Sequence, residues 1–427
     1  MEALENQAAG GTTGADHAGR QSGGLLSTVL LFTPLISSTI LTKVAFYPVS
    51  DVIPISVPLI IGCVFVGLFT NRMRFVKARL FWFLILMAWL WSIQIYSEDA
   101  FSITSIGLMC ALYLTFTVQL RQTHFDLERA LQFFQTLVLW ICVAGIAQFF
   151  LQFVIGQTLA FPIEHFLPDK LLVQGFHYLN SLKYGSATLK ANGVFLIEPS
   201  QFSQFLALAI IAELTTYNRR PRLALYLFGM VVSYSGTGFV ILLASLPLVV
   251  VGHKRWELMA LGLVFLILLA PFAGLLHLDI LLGRVTEFGS TESSGYMRFI
   301  GGFYDFNDWL WPRENRTLFG YGAGAFADLS KNFFYPAADL PINKLLIEYG
   351  MLGAIPFFFY LVASLNSGPE LRIFRFALTV SFFLNGLYVP LGQGIALSLL
   401  LWIPQMSRVA DSSSESRAGG STLSTAS

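Results

Sequence analysis

Five cations, Arg284, Arg298, Arg313, Arg316 and Lys331, fall within one polar stretch of the chain, interleaved with fourteen aromatic residues from Phe288 to Tyr335. A guanidinium presents a planar fork that meets two phosphate oxygens at once. A flat aromatic face, such as those of Trp309, Trp311 and Tyr321, suits the apolar face of a sugar ring. Together these residue types fit a ligand that carries a pyrophosphate and a glycan. The same composition has a purely structural reading: the arginines pair with Asp305, Asp308 and Glu314, and the aromatics form an interfacial belt.

A second group precedes this stretch. Lys190 stands shortly before Glu198-Pro199-Ser200, at the start of an apolar run. Pro199 suits the first turn of a helix, which sets Glu198 beside the positive helix end. Glu198 and Asp339 are the candidates to accept a hydroxyl proton or to orient an acceptor. Asn343 and Lys344 open a later apolar run and, with Lys190, Arg313 and Arg316, complete the candidate binding set. The glycines of Phe319-Gly-Tyr-Gly-Ala-Gly-Ala-Phe326 permit tight turns and close backbone approach. They are not a P-loop, because no Gly-Lys-Ser/Thr follows. His165, His177 and His277 show no metal-ligand spacing, and Cys63, Cys110 and Cys142 each lie inside apolar runs. No metal or cofactor is expected from these patterns.

The elements that position these groups are set by composition. Of the 427 residues, 55% are hydrophobic and only 12% charged, with a mean hydropathy of +0.66. A soluble domain carries roughly a quarter charged residues. The composition therefore excludes a cytosolic enzyme, a disordered regulator and a basic nucleic-acid binder. The fold expected is an all-α polytopic membrane protein with about twelve transmembrane helices. Their approximate limits are 25–46, 52–70, 79–97, 101–119, 130–154, 196–216, 221–235, 237–252, 256–276, 341–363, 373–390 and 391–407. Polar tails over 1–24 and 409–427 are expected to be disordered and cytoplasmic, flanking a single transmembrane domain over 25–408.

Orientation follows from the basic residues. Arg72, Arg74, Lys77, Arg79, Arg121, Arg129, Arg219, Arg220, Arg222, Lys254, Arg255, Arg372 and Arg375 occupy alternate connections, and those near 47–51, 98–100, 236 and 390 hold none. Cytoplasmic loops carry the excess of Lys and Arg. Both termini then face the cytoplasm, and the long connections 155–195 and 277–340 face outward. The middles of most expected spans hold no ionisable residue, which argues against a lipid or solute transporter.

The order of motifs resembles the Wzy-type polysaccharide polymerases and their relatives, the O-antigen ligases. A Gly193-Val-Phe-Leu-Ile-Glu198-Pro-Ser segment opens a span, and a polar Ser235-Gly-Thr-Gly238 turn follows. A long outer loop then carries Arg298 about twenty residues ahead of the Phe319–Phe326 glycine segment. Asn343, Glu348, Gly350 and Gly353 come after it. The resemblance covers roughly residues 185–360. It implies a metal-independent membrane glycosyltransferase of the bacterial inner membrane, acting on its periplasmic face. Its substrate would be an oligosaccharide repeat unit on undecaprenyl pyrophosphate, and its product an exopolysaccharide, capsule or O-antigen. A flippase and a chain-length regulator are the implied partners, besides membrane lipid. Arg298 matches the loop arginine, Arg284 a second basic residue ahead of it, and Glu198 the Glu-Pro position. Lys190 stands roughly where many members have an Arg. Ile342 replaces the His that ligases carry before the Asn, which favours a polymerase over a ligase. The Ser-Gly-Thr-Gly turn lacks an Arg often found there.

Overall fold

The computed structural model describes residues 13–96, 101–121, 123, 126–183, 186–254, 256–257, 294–334, 340–385 and 390–404, with single positions 264, 267, 271, 274, 283 and 289. The chain is mainly helical. Eleven of the twelve apolar runs carry helix, and the run over 256–276 lies almost wholly outside the described residues. Apolar residues in unbroken runs leave the backbone no partner but itself, and a helix satisfies every peptide group internally.

Helix α1 (Thr13–Ile40) starts ahead of its apolar run, so helical backbone reaches into the stretch expected to be a tail. Next come α2 (Ser56–Phe69), α3 (Lys77–Gln94), α4 (Ile103–Leu114) and α5 (Leu127–Leu151). Two short helices, α6 (Gln157–Ala160) and α7 (Pro162–Phe166), lie in the first long connection. Helices α8 (Pro199–Thr215), α9 (Arg220–Ser233) and α10 (Gly236–His253) follow. The second long connection folds into α11 (Ser294–Phe299), α12 (Gly301–Asp305), a π turn (Phe306–Leu310), α13 (Glu314–Phe319) and α14 (Ala325–Leu329). The chain then runs through α15 (Pro341–Leu365), α16 (Arg372–Leu384) and α17 (Pro390–Ala396). The described sheet is a pair of three-residue strands, β1 (Met73–Phe75) and β2 (Val118–Leu120), antiparallel with Arg74 opposite Gln119.

Helix α8 is the axis of the bundle. Every residue from Pro199 to Leu214 is buried, against α5, α9, α10 and α16. Its polar side chains are turned inward with the apolar ones, Gln204 accepting from Ser381 and Asn385 and Glu213 from Arg219. Phe202 is wedged into a slot that only glycine leaves open: a Cβ on Gly193 would stand 2.8 Å from its ring, and one on Gly145 would collide with it.

Two helices, Leu127–Leu151 and Pro341–Leu365, are long and apolar enough to cross a membrane. Gly24–Ile40, Ser56–Phe69, Ile103–Thr117 and Pro390–Leu401 are apolar but shorter than the runs they occupy, and the apolar Gly236–Gly252 matches its short run. The shortening has local causes. Residue 54 is a proline bridged to Ala45 in extended conformation, which delays α2 to Ser56. Helix α16 stops at Leu384 because Asn385 turns its amide onto Gln204 Oε1 at 2.6 Å.

Candidate functional site

Glu198 is the N-cap residue of α8, extended at φ −133° and ψ 156°, with Pro199 in the first turn. Its carboxylate does not cap the helix. Instead Ser200 Oγ donates to Glu198 Oε2 at 2.9 Å, and Arg298 Nη2 lies 3.5 Å from the same oxygen. The two charged side chains come from connections a hundred residues apart in sequence. They are 18% and 23% exposed, so the pair contributes about 1 kcal/mol or less to stability.

The Ser-Gly-Thr-Gly turn meets the first turn of α8. Ser203 Oγ donates to the Ser200 carbonyl at 2.9 Å and lies 3.2 Å from Thr237 Oγ1. Thr237 also donates to the Ser200 carbonyl at 3.2 Å and contacts Ser235 Oγ at 2.9 Å. The Gly238 amide donates to Ser203 Oγ at 3.1 Å. A Cβ at Gly238 would collide with the Ser203 carbonyl, so this glycine sets the distance between α8 and α10. Ser200 thus links the two groups, its hydroxyl on Glu198 and its carbonyl accepting from Ser203 and Thr237 in the helix junction.

The glycine segment 319–326 is a backbone crossing. Gly320, Gly322, Gly324 and, on α15, Gly350 all have positive φ, from 60° to 105°. Tyr321 N donates to the Ile347 carbonyl at 2.8 Å, and Gly322 N to that of Glu348 at 3.0 Å. A Cβ on Gly320 would stand 2.6 Å from the Glu348 backbone, and one on Gly350 would strike the Leu318 carbonyl. Asn343 sits where a Cβ on Gly302 would go, which joins α15 to the segment directly after Arg298. Lys344 Nζ lies 3.2 Å from Glu348 Oε1 and 5.6 Å from the Phe326 ring centre.

The other loop residues brace one another. Arg313 Nη1 donates to Tyr321 Oη at 2.9 Å, and Tyr321 Oη donates to the Trp309 carbonyl at 2.8 Å. The buried Arg316 lies over the Tyr321 ring at 4.5 Å. Tyr321 itself is buried, whereas Trp311 is 48% exposed. Lys190 stands at the foot of a turn closed by the Ser181–Leu189 bridge, its amide donating to the Asn180 carbonyl at 2.8 Å. Of the sequence candidates, Glu198 and Arg298 meet, Asn343 abuts the Arg298 segment, and Arg313, Arg316, Trp309 and Tyr321 form the loop brace. Arg284 and Asp339 lie outside the described residues.

Two groups escaped the sequence reading. Asp305 is buried at the start of the π turn, and its Oδ2 meets no hydrogen-bond partner among the described residues. Burial, with Asp308 nearby, pushes its carboxyl up to about 7. The second is a buried polar knot in the first long connection. Lys43 Nζ donates to Glu164 Oε1 and to the Val194 carbonyl, and Asn192 Nδ2 donates to the same Glu164 oxygen at 2.8 Å. Nothing in the spacing of Lys43 and Glu164 marks them as partners, since 121 residues separate them.

No family model, curated protein or solved structure matches this chain.

Proposed function

We propose that the chain is a repeat-unit polymerase for a surface polysaccharide, joining oligosaccharides carried on undecaprenyl pyrophosphate. The observation that carries the reading is the 3.5 Å approach of Arg298 to Glu198, a cation suited to a leaving diphosphate beside a carboxylate suited to a hydroxyl. In the reaction, a hydroxyl oxygen on the end sugar of one lipid-linked unit attacks the anomeric carbon of the growing glycan. The bond from that carbon to the pyrophosphate oxygen breaks, and its electron pair departs with the lipid carrier. The hydroxyl proton passes to Glu198. Arg298, with Arg284 ahead of it, balances the charge that builds on the diphosphate. Removing one such preorganised donor costs about 3–4 kcal/mol, or roughly a hundred- to a thousandfold in rate.

In this reading the chain spans the bacterial inner membrane about twelve times. Both termini are cytoplasmic, and both long connections are periplasmic. The helices of fewer than eighteen residues rise less than the roughly 30 Å of hydrocarbon, a mismatch met by local thinning and by anchoring residues at the interface.

The test is an assay of purified protein with a lipid-pyrophosphate-linked oligosaccharide, reading chain length on a gel. The wild-type chain yields a ladder. Arg298→Ala leaves expression and membrane insertion intact but yields single units only. Arg298→Lys fails as well, since an ammonium cannot grip two oxygens in one plane. Long polymer from Arg298→Ala would remove the central residue of the reading.

A further inference from the structure

The approach to Glu198 is a strained turn. Gly193 and Val194 are both left-handed, at φ 71° and 66°. Glycine adopts this conformation freely. A β-branched residue does not, and such an outlier persists only where its surroundings over-determine it. Here they do. Val194 N donates to Gln148 Oε1 at 3.2 Å and to Asn192 Oδ1 at 3.1 Å. Gln148, on α5, also donates to Asn192 Oδ1 at 3.0 Å and accepts from the Asn192 amide at 3.1 Å. The Val194 carbonyl is held from the other side by Lys43, just beyond the end of α1. Lys43 is itself locked by Glu164, and both side chains are almost wholly buried, at 1% and 2% exposure. The knot is adjacent to the site. Asn192 Nδ2 donates to the Tyr178 carbonyl at 3.4 Å, and burial together with the Glu164 and Glu198 carboxylates pushes the Tyr178 hydroxyl up. Tyr178 therefore feels both charges.

We infer that Lys43 and Glu164 are positioning residues, which hold the Val194 turn in its strained form and thereby aim Glu198 at Arg298. The turn is four residues from Glu198, with Gly193 packed on Phe202 in the second turn of α8. A turn released from Lys43 relaxes out of the left-handed region and carries the N-cap of α8 with it. The inference rests on the polymerase reading for its catalytic consequence, but its geometric content does not depend on that reading.

Two variants separate positioning from mere support. Val194→Gly adopts the same turn without strain, so the folded protein is at least as stable as wild type in a thermal melt. Lys43, Gln148 and Asn192 still hold its backbone, so the turn is kept and kcat should stay near wild type; a large loss would assign the effect to the Val194 side chain and overturn the inference. Lys43→Met with Glu164→Gln removes both charges together, avoiding the unpaired buried ion a single change would leave. Here the turn is released, and kcat should fall by roughly ten- to a hundredfold with KM for the lipid-linked donor unchanged. Wild-type kcat in this double variant would overturn the inference and leave the polymerase reading intact.

A second readout needs no turnover. Glu198→Cys and Arg298→Cys are combined in a chain whose Cys63, Cys110 and Cys142 are replaced, and cross-linked with a short bismaleimide. Cross-linking should be efficient with Lys43 and Glu164 in place and markedly weaker with Lys43→Met and Glu164→Gln. Equal yields in both backgrounds would refute the positioning role. If the wild-type chain makes no polymer at all, the polymerase reading fails, and the cross-linking yields still judge the turn.

Discussion

Arg298 and Glu198 form a long, single-contact ion pair, whereas Glu213 and Arg219 form a multidentate one. Glu213 is fully buried and accepts Arg219 Nε and the Arg219 amide on Oε1, both at 2.7 Å, with Nη2 on Oε2 at 2.8 Å. The first pair lies at the start of α8, and the second closes the far end of the same helix. Arg219→Ala should therefore destabilise by about 3 kcal/mol, because it strands a buried carboxylate. Thermal unfolding in detergent measures this. Asp305 gives a pH-dependent counterpart. Its carboxyl, ordinarily near 3.8, is raised to about 7, so the folded chain keeps the proton to higher pH than the unfolded chain. Its contribution favours folding fully below the unfolded value and is lost as pH rises through about 7. Asp305→Asn should match wild type near pH 4 and melt at a higher temperature than wild type near pH 8.

At the scale of elements, glycines set how closely backbones pass. Gly236 and Gly238 start the same helix, yet a Cβ on Gly236 meets open space and one on Gly238 meets the Ser203 carbonyl. Gly236→Ala should be tolerated or mildly stabilising. Gly238→Ala must push α10 from α8 and break the Ser203–Thr237 contact beneath Glu198, lowering both melting temperature and polymer yield. Gly350→Ala faces a collision with Leu318 and a φ of 60°, and should destabilise by about 2 kcal/mol or more. In each pair of elements the packing distance is read from one atom that is missing.

The whole molecule turns large apolar side chains outward. Phe69, Phe359, Trp140 and Trp82 are 87%, 77%, 68% and 61% exposed, and in the proposed membrane reading these side chains meet lipid. The chain should remain with the membrane after alkaline carbonate extraction. In intact spheroplasts, a membrane-impermeant maleimide should label Asp51→Cys and spare Arg72→Cys; the reverse pattern would invert the proposed topology. Most of the helical layout was legible in the sequence, because a long apolar run has few ways to satisfy its peptide groups. The opening of α8 at Pro199 was legible for a similar reason, since a proline's missing donor marks a first turn wherever it stands. Helix ends were less legible. The start of α2 at Ser56 depends on the Ala45–Pro54 bridge, and the stop of α16 at Leu384 on Gln204, 181 residues from Asn385. The sequence also placed cations and carboxylates in and beside the two long connections, but left open whether the arginines turn to each other, to nearby acids or to Glu198. Only the tertiary structure set Arg298 against Glu198, turned Arg313 and Arg316 onto Tyr321, and joined Lys43 to Glu164. The physical reason is that composition and periodicity act along a few turns of chain, whereas a pair of charges is made by whatever packing brings together, whether it lies four residues away or more than a hundred.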